Sequence, residues 1–133
     1  MMAKYSVESD FLQNYLNFFI ISRFYKNDKN SSILNDAQVF NSCVHLNPSS
    51  FNLANCADRR ERVESFISSN EEAFNKFRNI AVENCKSDLL NAHGINVHLE
   101  KDLRFIRPSE LNLLKLQIDK AEERLDACIK SNL

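Results

Sequence analysis

The stretch from Cys56 to Cys85, CADRRERVESFISSNEEAFNKFRNIAVENC, decides how the chain is read. It holds neither glycine nor proline, and it begins and ends on two of the four cysteines, with Cys43 before it and Cys128 after it. In its second half Phe74, Phe77, Ile80, Ala81 and Cys85, continued by Leu89, recur at spacings that place them on one face of a helix. In its first half Cys56 to Ile67 is a second helical run whose charges, Asp58 to Glu64, read as a solvated face laced with i,i+4 pairs. Between the halves, Ser69 with Glu72 three residues on is a capping-box pattern, which predicts a bend or fresh start at Ser68-Ser69-Asn70-Glu71-Glu72.

Working outward, the same reading covers the chain with helices. Ser9 is placed to cap a helix reaching Arg23 or Lys26, carrying Phe11, Leu12, Tyr15, Leu16, Phe18, Phe19, Ile20 and Phe24. Its apolar positions cover more than one face. That suits a helix lying over the rest of the fold, and equally one whose Phe11, Tyr15, Phe18 and Phe19 dock onto a neighbouring subunit. After a polar break at Asn27 to Ser32, Ile33 to Val44 is a short helix, and Asn47-Pro48-Ser49-Ser50 forces a reversal because the residue before proline avoids the helical region. Asn55 is placed to cap the helix starting at Cys56, so the pair reads as a helical hairpin. Downstream, the helix through Leu89 is expected to stop at Gly94 as a left-handed cap, with a long connection from Asn96 to Pro108. Ser109 then caps a last helix with Leu111, Leu114, Ile118, Ala121, Leu125 and Cys128 along a narrow seam.

Composition agrees with an all-α fold. One glycine and two prolines in 133 residues leave few breakers, and no sustained polar-apolar alternation supports strands. With 17 basic and 18 acidic side chains and no basic block, the sequence lacks the electrostatic footprint of a nucleic-acid binder. No segment has the roughly 18 to 20 continuous apolar residues that cross a bilayer. Met1 to Asp10 reads neither as a secretory signal nor as an Arg-rich presequence. The expectation is therefore a cytosolic chain, or one that enters its compartment without a cleaved leader.

The four cysteines show no Cys-x2-Cys metal spacing. They fit two readings. One is four buried thiols of a cytosolic helical adaptor. The other is pairing: Cys43 and Cys56 flank the proline turn, and Cys85 and Cys128 meet if their helices run antiparallel. Catalysis finds little support. Cys43 with His45, and His93 with His98, are irregularly separated for zinc, and only Gly94 is available to a phosphate loop. No enzyme activity, metal or cofactor is expected.

At this point the chain resembles the twin CHCH proteins, in which each of two helical hairpins carries cysteines ten apart on both helices, so that an outer and an inner disulfide staple the pair. Counting ten residues from Cys43, Cys56, Cys85 and Cys128 along their own helices reaches Ile33, Phe66, Ile95 and Ile118, all apolar. The resemblance implies that Cys43–Cys56 is the inner bridge of a first hairpin whose outer bridge is replaced by Ile33 and Phe66. It likewise implies that Cys85–Cys128 is the outer bridge of a second hairpin whose inner bridge is replaced by Ile95 and Ile118. Losses in facing pairs leave no stray thiol, and two apolar residues can pack in place of a bridge. The domains expected are 1–32, an N-terminal helical docking segment, then 33–67 and 68–133, the two hairpins.

Within that group, Val39-Phe40-Asn41-Ser42-Cys43, Cys56 to Val63 with Phe66, Phe77-Arg78-Asn79-Ile80 before Cys85, and Gln117 to Leu133 resemble the family of the complex I accessory subunit NADH dehydrogenase 1 alpha subcomplex subunit 8. The ending Leu125-Asp126-Ala127-Cys128-Ile129 is similar to that family's bulky residue, Asp, any residue and Cys. The likeness covers about residues 33 to 133, with longer loops between Cys43 and Cys56 and between Phe66 and Cys85. It implies a non-catalytic, disulfide-stapled accessory subunit on the intermembrane-space face of the mitochondrial inner membrane. Such a protein is peripheral to the bilayer, partnered by other subunits of the respiratory chain's complex I, and oxidised on import. The alternative within the same group is another intermembrane-space CHCH protein, such as an assembly factor.

Overall fold

The structure is a computed structural model that describes residues 7–25, 32–43, 54–102 and 106–133. The described residues form six helices and no strand: α1 (Val7–Phe24), α2 (Ser32–Cys43), α3 (Ala54–Ser69), α4 (Glu71–Glu83), α5 (Lys86–Asp102) and α6 (Pro108–Ser131). No helix among them is long and apolar enough to cross a membrane. The chain divides into two compact units, Met1–Phe74 and Asn75–Leu133, so the division falls inside α4.

In the first unit α1 packs on α2, and α2 packs on α3. From α1, Tyr15, Leu16, Phe19, Ile20 and Ile21 are fully buried. Burying such side chains is worth about 1.5–3 kcal/mol each, so α1 is a main contributor to this core. This corrects the expected docking surface: Tyr15 and Phe19 face inward and offer nothing to a partner, while Phe18 is half-buried and the Phe11 side chain lies outside the described residues. Tyr15 and Phe19 lie 6.3 Å apart, and the Arg23 guanidinium sits 5.6 Å from the Phe19 ring centre. Just past α1, Tyr25 meets the edge of Phe66 at 5.1 Å and stacks on Phe74 at 5.8 Å, closing the far side of the unit. α1 belongs to the same compact unit as the first hairpin.

The joint between α3 and α4 lies where the capping-box pattern put it. α3 ends at Ser69 and Asn70 makes the turn, its side chain donating to the Phe66 carbonyl at 2.8 Å while its own carbonyl accepts from the Phe74 amide. α4 runs only to Glu83. The amides of Asn84 and Cys85 both turn back to the Ile80 carbonyl, and the Cys85 carbonyl then receives the Leu89 amide and opens α5. The helix expected to run unbroken through Cys85 to Leu89 is thus two helices.

The second unit is built on an antiparallel pair, α5 and α6. Leu89, Ala92 and Asn96 form the buried stripe of α5, and Ala121, Leu125 and Ile129 that of α6. Ala92 and Ala121 are small enough to let the two backbones approach closely. On α4, burial pushes the Arg78 guanidinium below its ordinary range.

Several expected helix ends are corrected. Gly94 is exposed in the middle of α5, it has no positive φ, and the helix continues to Asp102, so the long connection beginning at Asn96 is mostly helix. Stripe burial on both sides of Gly94 outweighs the roughly 1 kcal/mol that a glycine costs inside a helix. Ser9, Asn55 and Ser109 lie inside α1, α3 and α6 rather than capping them. At α6 the start is set by Pro108 at the first helical position after an extended Arg107. The expected reversal at Asn47-Pro48-Ser49-Ser50 lies outside the described residues, as does the polar break at Asn27 to Ser32 except for Ser32, which is the first residue of α2.

Candidate functional site

The features with chemical consequence are the two disulfides and the side chains around them. Cys43, the last residue of α2, is bonded to Cys56 in the first turn of α3, with Cα atoms 6.2 Å apart. Both cysteines are buried, and Phe40 completes their cluster with Val39 packed against it. The bridge holds one end of an antiparallel hairpin. Ten residues along each helix, Ile33 is buried and Phe66 half-buried, and both line the same open groove of about 510 Å³ between α2 and α3.

In the wall of that groove lies an interaction that sequence reasoning missed, for Asp36 and Arg62 both line it. Asp36 on α2 is buried with a side chain 5% exposed, and its two carboxylate oxygens accept from Arg59 at 3.0 Å and from Arg62 at 3.1 Å, both on α3. A buried carboxylate needs such partners, because stripping it of water is costly unless charge and hydrogen bonds replace the lost hydration. The signal was present in the sequence. Asp36 interrupts the apolar stripe of Ile33, Ala37 and Phe40, and a charge on the inward face requires an answer from the opposite helix. The charge run on α3 is therefore only partly a solvated face: Arg60 makes the expected i,i+4 pair with Glu64 at 3.1 Å, while Arg59 and Arg62 cross to α2.

In the second unit Cys85, in the bend between α4 and α5, is bonded to Cys128 near the end of α6, with Cα atoms 6.0 Å apart. Cys85 is buried, whereas Cys128 is partly exposed, so the latter sits at the margin of the α6 seam rather than within it. Ile95 on α5 and Ile118 on α6 are both half-buried, ten residues from their cysteines. Lys130 pairs with Asp126 at 3.1 Å on the outer side of the same helix.

No free thiol remains, since all four cysteines are bridged. Among the described residues no three His, Cys, Asp or Glu side chains come together as a metal set. His93 is half-buried and His98 exposed on α5, and His45 lies outside the described residues. What the arrangement does chemically is cross-link: the first bridge fixes its helical hairpin at the end where the chain passes from α2 to α3, the second fixes the open end of the α5–α6 pair, and neither shares a residue with the other.

Compared with models of known protein families, with curated proteins and with solved structures, the chain matches none.

Proposed function

We propose that this chain is a non-catalytic structural subunit of an oxidising compartment. Its place on this reading is the intermembrane-space face of the mitochondrial inner membrane, peripheral to the bilayer, as an accessory subunit of complex I. The observation that carries the reading is the disposition of the cross-links: each of two antiparallel helix pairs holds one bridge, and an apolar pair stands ten residues from it on both helices. On this reading the disposition is that of a twin CHCH protein in which apolar pairs stand in for half of the bridges. Persistent disulfides also belong to oxidising compartments rather than to a glutathione-reduced cytosol. In this role the protein contributes rigid contact area and carries no redox centre of its own.

The experiment is extraction of membranes in a gentle detergent, native separation of the complexes, and intact-mass measurement after alkylation without reductant. The expected result is co-migration with complex I and four cysteines that resist labelling. A chain found free of large complexes but fully bridged turns the reading toward an assembly factor. Four labelled cysteines overturn the stapled scaffold and favour a cytosolic adaptor.

A further inference from the structure

The two bridges have the same polarity but unequal access. In each, one cysteine stands at the end of a helix and the other at the start of that helix's partner: Cys43 ends α2 and Cys56 lies in the first turn of α3, while Cys128 lies in the last turn of α6 and Cys85 stands at the start of α5. The Cys85 carbonyl accepts the Leu89 amide at 2.8 Å, which makes Cys85 the N-cap residue of α5. Helix starts favour negative charge and helix ends disfavour it. A thiolate is therefore better placed at Cys85 than at Cys128.

Access separates the bridges. Cys43 and Cys56 are 5% and 3% exposed and packed with Phe40 and Val39, so an incoming nucleophile has little access to either. Cys85 is closed off in the same way at 2%. Cys128 alone is partly exposed, and polar groups border its sulfur: the Asn132 side-chain nitrogen at 3.9 Å and the Asn84 carbonyl oxygen at 3.7 Å. Thiol–disulfide exchange requires attack on one sulfur along the S–S axis and is fastest where that sulfur is reachable and the other leaves as a stabilised thiolate. Both conditions meet at Cys128 and Cys85.

We propose that Cys85–Cys128 is a thiol-exchange site, at which a small cysteine-containing peptide thiol attacks the Cys128 sulfur and Cys85 departs as the thiolate. The new bond joins Cys128 to the incoming sulfur, and the old S–S bond breaks with its electron pair on Cys85. A second thiolate of the same class then attacks the incoming sulfur, leaves Cys128 reduced, and carries away the oxidised thiol as a disulfide. The first step is S-thiolation at Cys128, and the two together are a two-electron opening of the second hairpin alone. The inference holds whichever assembly the chain serves, since it concerns the reactivity of one bridge.

The test treats the folded, fully oxidised protein with reduced glutathione, quenches by acid and alkylation over time, and maps the peptides by mass. The expected first product has glutathione on Cys128 and an alkyl group on Cys85, with Cys43–Cys56 intact. The second bridge should open at least about ten times faster than the first. In strong urea that ratio should fall towards one, because denaturation equalises access. Equal or reversed rates in the folded protein, glutathione on Cys85, resistance of Cys85–Cys128 while folded, or an unchanged ratio in urea would each overturn the proposal.

Discussion

The carboxylate of Asp36 on α2 receives the guanidinium of Arg59 on α3 at 3.0 Å, and Arg62 occupies its second oxygen at 3.1 Å. Asp36 is buried while Arg62 is half in solvent, so the three side chains are unequal partners. Replacing both arginines (Arg59→Ala with Arg62→Ala) strands a charge inside the hairpin and is expected to cost about 3 kcal/mol. Adding Asp36→Ala to that double variant should recover a good part of the loss, because no buried charge is left behind. Urea unfolding of the parent, the double variant and the triple variant measures this. A triple variant no more stable than the double one would show that the carboxylate is not the group at stake.

Removing the cross-links should cost unequal amounts. The Cys43–Cys56 loop spans 13 residues and the Cys85–Cys128 loop 43. In the chain-entropy treatment the first contributes about 3 kcal/mol and the second about 4 kcal/mol. Cys43→Ser with Cys56→Ser, and Cys85→Ser with Cys128→Ser, compared by urea midpoint against the parent, check both the order and the size. Reversal of the order would mean that packing of the first bridge against Phe40 outweighs loop length.

Ile33 and Phe66 line one groove, about 15 Å along the hairpin from Cys43–Cys56 at the usual helical rise. Ile33→Cys with Phe66→Cys is expected to oxidise spontaneously to a third bridge without disturbing the other two. The readout is intact mass after alkylation without reductant. Two labelled cysteines in the folded variant would show that the facing register of α2 and α3 is other than described.

Gly94 offers a prediction whose sign depends on the helix boundary. A β-carbon added there meets nothing within 4 Å, and no positive φ requires glycine. Gly94→Ala should therefore stabilise the second unit by about 1 kcal/mol, the difference in helix propensity. Had Gly94 been a left-handed cap, the same change would destabilise. The urea midpoint distinguishes the two directions.

The sequence made some features legible because they depend on local chemistry. The scarcity of glycine and proline read as an all-helical fold, and the Ser69 and Glu72 pattern marked the α3–α4 joint. The positions of Cys43 and Cys56 around the proline matched a bridge across a reversal. What it hid depends on tertiary competition. Gly94 looked like an end because its local cost was visible, while the burial of Leu89, Ala92 and Asn96 that overrides it was not. The break at Asn84 and Cys85 hid inside an unbroken apolar pattern, because both amides turn to the single carbonyl of Ile80. Tyr15 and Phe19 looked available for docking because an aromatic-rich helix reads alike whether its cover comes from its own chain or another.

The two cross-links follow one another along the chain without overlap: 43 with 56, then 85 with 128. Of the three ways to join four cysteines, only this one keeps each loop clear of the other. Oxidative maturation therefore needs no obligatory sequence of events: either bond can form first, and neither has to be undone for the other to close. Either scrambled isomer would tether the halves of the molecule together, and would be recognisable by a peptide from one half covalently attached to a peptide from the other.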